Sequence, residues 1–300
     1  FIVSIMVFMI VHLTPGDPAA AILGSLAKPD QIEELRNQLG LNAPILEQYL
    51  NWILGVFQGD LGYSYFMRQS VMEAILSHLG PTISLSILAQ TIAIVIGIPF
   101  GIIAARRKGT FLDQFFMGLS LMGLAVPSFL LGLFLILLLA GKLQWLPVAG
   151  YAPLSKGLVE HLKFLIMPVI ALGSMQIALT ARMTRTAMLD ILNLDFIKTA
   201  RSKGLKESSV VYKHAFRNAI LPILTVIGQS FGILVAGAAV TETIFNIPGI
   251  GQLIINSVAR RDFDVIQGIV LFVAMVYVFI NLVVDLLYGL FDPRVRLNNK

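Results

Sequence analysis

Residues 195–223 read DFIKTARSKGLKESSVVYKHAFRNAILPI, a polar and basic stretch set between two long apolar runs. Little else in the chain stays polar for so long. Leu189, Leu192, Phe196 and Ala200 recur at three- and four-residue spacing, and an amphipathic helix is predicted over 190–203. Lys198, Arg201 and Lys203 fall elsewhere on it. Gly204 then breaks the run, as a left-handed residue just past a helix end does. An acid and a serine suit a second helix start at Glu207 to Ser209. Val210, Val211, His214 and Ala215 give that helix a compact, partly apolar face, and Pro222 stands at a permitted helix-start position where the next apolar run begins. Basic loops beside a membrane gain about 1 kcal/mol per Lys or Arg near anionic lipid. Composition therefore leaves lipid and protein equally open as partners. The helix–glycine–helix form favours a protein, because a short rigid helix fits a groove.

The rest of the chain sets the medium. Of 300 residues, 57% are hydrophobic and only 13% are charged, against about 25% charged in soluble domains. That is a polytopic membrane protein. The chain has no cysteine, which excludes disulfides, thiolate metal sites and cysteine nucleophiles. Residues 1–13, FIVSIMVFMIVHL, are too few to cross a core that needs roughly 20, and are read as the end of a first span whose start lies before Phe1. Five further apolar runs, 81–105, 114–140, 164–181, 222–240 and 265–290, complete an expected six-span, all-α protein. Pro99 and Pro127 fall inside spans and predict kinks. Arg106, Arg107 and Lys108 follow the second run, and eight Lys and Arg lie between residues 182 and 217. The positive-inside rule puts these loops in the cytoplasm, with both termini on the same side.

The first outer loop, 14–80, is polar enough to fold outside the membrane. PDQIEELRNQLGL reads as a short helix with Asp30 as N-cap and Gly40 as its stop, and TPGDP and GDLG read as turns. Catalytic signatures are missing: there is no phosphate-binding G-x-x-x-x-G-K-[ST], no H-E-x-x-H and no G-x-S-x-G. His12, His78, His161 and His214 are scattered and read as structural rather than as ligands. The acid pairs Glu33-Glu34 and Asp262/Asp264 are explained by solvation on outer surfaces. The chain is therefore not expected to be an enzyme, nor to hold a metal or cofactor of its own. Gln90, Gln176, Gln229 and Asn281 lie within spans, where polar groups face either a neighbouring helix or a watery path. They are the candidates for a translocation path. Gly228, Gly232 and Gly237 read as close helix packing.

The segment Thr199-Ala200-Arg201-Ser202-Lys203-Gly204-Leu205, with His214-Ala215-Phe216-Arg217-Asn218-Ala219 and Leu221-Pro222, resembles the cytoplasmic "EAA" loop of ABC importer permeases. The closest likeness is to the oligopeptide/dipeptide/nickel branch. Four more stretches resemble that branch in order: Leu13-Thr14-Pro15-Gly16-Asp17-Pro18, Gly59-Asp60-Leu61-Gly62-Tyr63-Ser64, the segment from Glu242 through Pro248-Gly249-Ile250-Gly251, and Asp292-Pro293-Arg294-Val295-Arg296. Lys198 and Thr199 depart from the acidic residue and alanine of the general importer motif, as is usual in the peptide branch. The resemblance implies the first of two homologous permeases in a bacterial inner-membrane importer of short peptides. The expected partners are a second permease, two ATP-binding subunits that carry ATP and Mg, an extracytoplasmic solute-binding protein and lipid, with no nucleic acid. It implies coupling roles for Ala200, Gly204, Leu205 and Glu207 at an elbow. Val210, Val211 and His214 are expected on a docking face, and Arg217 and Asn218 as ties back to the spans. A nickel or metallophore importer of the same family remains open, as does an ion-driven transporter or channel.

Overall fold

The computed structural model describes residues 1–13, 16–24 and 27–291. Thr14-Pro15 and the terminal Asp292-Pro293-Arg294-Val295-Arg296 motif lie outside the described residues. Among the described residues the fold is all-α but for one small hairpin. It runs through α1 (Ile2–Leu13), α2 (Pro18–Leu23), α3 (Pro29–Gln38), α4 (Ile45–Phe57), β1 (Tyr63–Ser64), β2 (Gln69–Ser70), α5 (Val71–Arg106), α6 (Phe111–Ala125) and α7 (Ser128–Leu135). After these come α8 (Leu158–Leu192), α9 (Asp195–Ser202), α10 (Glu207–Ser209), α11 (Arg217–Gly237), α12 (Ala239–Ile244), α13 (Ile250–Arg260) and α14 (Phe263–Phe291). Among the described residues four helices are long and apolar enough to span a membrane, or five if the bent pair α6 and α7 counts as one. The first helix, α1, has only 12 residues.

Two expectations about proline are corrected. Pro127 does not kink a continuous span: the helices either side of it meet at 94°. Proline has no N–H to donate and pushes the residue before it out of helical geometry. Val126 is accordingly extended, with φ −89° and ψ 117°. Pro222 does not start a helix but sits inside α11. Residues 207–235 form one apolar helix, so the basic loop feeds into the span without a break.

The chain forms two compact units. In the first, Phe1–Thr82 with Ile247–Val276, the described part of the outer loop carries α2, α3, α4 and the hairpin. Asp17 caps α2 by accepting from the Ala19 N–H at 3.0 Å. Pro29 takes the first helical position of α3, so Asp30 lies inside the first turn rather than at the cap. Gly40 (φ +68°) ends the helix. The core of this unit joins Leu61, Val71 and Ile75 to Ile250, Val265 and Ile269. Asp262 is not a solvated surface acid, contrary to the sequence reading. It is buried and accepts from Ser64 Oγ at 2.5 Å, pinning the hairpin. Burial pushes its carboxyl above the usual range, partly offset by the Ser64 hydroxyl.

The second unit, Ile83–Asn246 with the helix from Tyr277, is built around α8, whose buried face includes Leu165, Met167, Ala171, Gln176 and Met188. Small residues let its neighbours close in. A Cβ on Gly101 of α5 would lie 2.6 Å from the Ala181 carbonyl oxygen and 2.5 Å from Thr184 Cβ. Gly228 faces Val284, and a Cβ on Gly232 would meet the Tyr277 ring at 2.7 Å, as the packing reading of these glycines expected.

Candidate functional site

The segment that opened the reading forms an elbow. Helix α9 ends in a full Schellman motif: Gly204 N–H donates to Arg201 C=O at 2.9 Å and Leu205 N–H to Ala200 C=O at 3.3 Å. Gly204 has φ +74°, the left-handed geometry its position requires. Across the turn, Arg201 Nε and Nη2 donate to the two Glu207 carboxylate oxygens at 3.2 and 2.9 Å. Helix α10 then opens into a π-helical turn, residues Val210–Phe216, before α11.

Burial divides the elbow into two faces. Residues 201–208 are all exposed, with Leu205 at 41%. Ala200 and Ile197 of α9 are buried, as are Val211, Ala215, Ala219 and Ile223 at every fourth position beyond. A strict four-residue stripe drifts round an α-helix of 3.6 residues per turn. The π turn holds more residues per turn and so counters the drift. This stripe packs on Ile102 and Ala105 of α5 and on Ala187 and Met188 of α8.

These placements correct part of the sequence reading. Val210 and Val211, expected on the docking face, are both 0% exposed, because the ends of α5 and α8 cover them. Of the four residues expected at the elbow, Gly204, Leu205 and Glu207 are exposed and Ala200 is buried; Tyr212 is exposed beside them, and His214 is half-buried. Among the described residues Arg217 and Asn218 show no bond to another span: both are exposed, and Asn218 Nδ2 donates to His214 C=O of its own helix at 2.6 Å. The tie is the apolar stripe instead.

One ion pair near the elbow escaped the sequence. Arg185 of α8 donates from Nε and Nη2 to the two oxygens of Asp113 on α6, at 2.7 and 2.8 Å, and the Gly109 N–H adds a third bond at 3.0 Å. This bidentate geometry is strong and directional. It fastens the basic Arg106–Arg107–Lys108 turn to α8. Asp113 stands one residue before the apolar run that begins at Gln114, and nothing local names a partner 72 residues away.

The path candidates separate. Gln90 is buried and accepts from Ser230 Oγ at 3.1 Å, which is interhelical hydrogen bonding, though its Nε2 is unpartnered. Gln176 is buried with its Oε1 unpartnered. Gln229 is exposed on α11. Asn281 donates to Tyr277 C=O of its own helix at 3.0 Å.

Residues 97–297 match the family described as binding-protein-dependent transport system inner membrane component, and residues 1–86 match its N-terminal companion. The chain belongs to the binding-protein-dependent transport system inner membrane component family. It is thus a multi-pass membrane component of an ABC-type transport system. A protein of Sinorhizobium fredii named "Probable peptide ABC transporter permease protein" is 41% identical over 98% of this chain and 94% of its own. The glutathione transport system permease protein of Escherichia coli is 40% identical over 99% of this chain and 94% of its own. In fold, the chain is similar to a methionine ABC transporter structure in an inward-facing conformation, with TM-score 0.60 and 15% identity over 74% of this chain and 97% of that one.

Proposed function

We propose that this protein is one permease of an ATP-driven importer for short peptides. The observation that carries the reading is likeness of 40–43% identity, over nearly the whole chain, to permeases named for peptides and for glutathione, itself a tripeptide. The exposed elbow at residues 201–208 supports coupling to a separate ATPase. Its partners would be a second permease, two ATP-binding subunits holding ATP and Mg, and an extracytoplasmic solute-binding protein. The basic elbow and the Arg106–Arg107–Lys108 turn support a cytoplasmic placement of both, with both termini on that side.

In this mechanism the ATPases close on ATP and push on residues 201–208. The apolar stripe passes the displacement to α5, α8 and α11, and the spans reorient around the solute. Gln229, polar and exposed on an apolar helix, fits a path or a second permease better than lipid. Gln90, Gln176 and Asn281 are carried as weaker path candidates.

The test is reconstitution of this chain with its second permease, two ATPases and binding protein in proteoliposomes. ATP-dependent uptake of a labelled dipeptide is expected. Uptake by this chain alone under an ion gradient, without nucleotide, would overturn the assignment.

A further inference from the structure

The first unit contains a cavity of about 290 Å³ that the elbow and the path do not use. Its wall is aromatic, with Trp52, Tyr63, Tyr65 and Phe66, and it carries charges of both signs in Arg261 and Asp264. Arg261 is held in an unusual way. It occupies the left-handed position after α13, with φ 56° and ψ 38°, where glycine is the ordinary choice. A non-glycine residue there is uncommon and strained, so a side chain is kept at some cost. Its guanidinium lies over Gly16, where a Cβ would come within 2.7 Å of Nη1. Among the described residues the guanidinium forms no ion pair or hydrogen bond. Among the described residues Asp264 receives one long bond, from the Tyr63 N–H at 3.4 Å. Its carboxylate sits against Gly62, where a Cβ would be 3.0 Å from Oδ2.

A cavity with an apolar wall and a few convergent polar groups is the ordinary form of a small-ligand site, and ~300 Å³ is the lower end of the range. We propose that this cavity binds a small zwitterion bearing a free ammonium and a free carboxylate, on the scale of an amino acid or a dipeptide. Asp264 accepts from the ammonium, and the tyrosine and tryptophan faces assist by cation–π attraction. Arg261 donates to the carboxylate. Among the described residues neither charged side chain has a strong partner, so the ligand completes both. The site is independent of the import reading and of the solute that crosses the membrane.

The test uses the full chain in lipid nanodiscs. The chain has two tryptophans, so Trp145→Phe leaves Trp52 as a reporter in the cavity wall. L-alanine, L-alanyl-L-alanine, its N-acetyl form and its C-terminal amide are titrated against Trp52 emission. Saturable binding of free alanine or dialanine is expected, the tighter of the two fixing the ligand's length. Each capped form should bind roughly tenfold more weakly or worse, the loss expected from one charged hydrogen bond. Arg261→Gln should weaken dialanine and abolish discrimination against the amide, while keeping it against the acetyl form. Asp264→Asn should do the reverse. Arg261→Lys keeps the charge and should keep some preference for the free carboxylate, so a folding defect in the glutamine variant leaves a second reading. Equal affinity for capped and free dipeptide, or no saturable response in a chain with unchanged thermal unfolding, overturns the proposal. Uptake by the reconstituted importer is read separately, so failure of one conclusion does not pass for failure of the other.

Discussion

Replacing Gly204 tests the elbow most directly, because its folding cost and its docking cost can be separated. No atom lies within 4 Å of a Cβ built at this position. The first carbon of a side chain there meets no described atom, and the main penalty is the left-handed backbone, about 1–2 kcal/mol. Against stabilities of about 5–15 kcal/mol, the chain should still fold and insert. Any larger effect must come from what the elbow touches. An added side chain in a fitted interface costs about 1–3 kcal/mol, which is about fivefold to a hundredfold in a coupled step. Gly204→Val should therefore lower uptake per ATP hydrolysed in proteoliposomes by that factor, with a small loss of thermal stability. Gly204→Asn is the discriminating partner, since asparagine tolerates the left-handed region. It should uncouple nearly as well while leaving stability near wild type. Wild-type uptake with normal ATPase stimulation in both variants would refute the docking role of this elbow.

Asp113→Ala should lower thermal stability by about 2–3 kcal/mol, less than the 3–5 for a fully buried pair, because Arg185 is 27% exposed; replacing both residues with leucine should recover part of the loss. Gly101→Leu should disrupt packing of α5 on α8 by about 1–3 kcal/mol or more, since the obstructing Ala181 carbonyl is backbone, and limited proteolysis of 158–192 reads it. Asp262 has a folded pKa raised by burial above its unfolded value of about 3.8. Its contribution is therefore fully present below pH ~4 and is lost as pH rises through the folded pKa. Hydrogen-exchange protection at the Tyr63–Ser70 hairpin, taken relative to the intrinsic rate at each pH, should fall over that window, and Asp262→Asn should flatten that fall.

What the sequence made legible and what it hid divide along sequence separation. Helices α5, α8, α11 and α14 were visible because a long apolar run needs no partner to be recognised. The elbow was visible because Gly204 and its flanking helices act over a few residues. Val210 and Val211 were misplaced because an amphipathic pattern shows that a face is apolar but not what covers it. Their cover, Ile102 and Ala105 of α5, lies about a hundred residues earlier. Asp262 was misread for the same reason, its partner Ser64 standing 198 residues away. Pro127 shows a different limit. A kink and a break leave the same sequence, and the choice depends on whether neighbouring groups satisfy the freed carbonyls.

The two faces of the elbow imply how force leaves it. The Arg201–Glu207 pair looks like a clamp, but its side chains are 43% and 47% exposed, and such pairs contribute about 0–1 kcal/mol. Burial is the larger effect. Fully burying one valine is worth roughly 1.5–3 kcal/mol, and Val210, Val211 and Ile223 are all 0% exposed. Sliding the elbow independently of α5 and α8 would therefore cost several times more than opening the ion pair. The elbow should move with the ends of those helices as one body, and the buried stripe, not the salt bridge, should transmit the stroke. Val211→Ala leaves the exposed docking surface untouched yet removes about 1.5 kcal/mol or more from that contact. It should raise ATP hydrolysed per solute imported, while Arg201→Gln leaves the ratio near wild type. The opposite order, a coupled Val211→Ala and an uncoupled Arg201→Gln, would place transmission in the ion pair and reject this account.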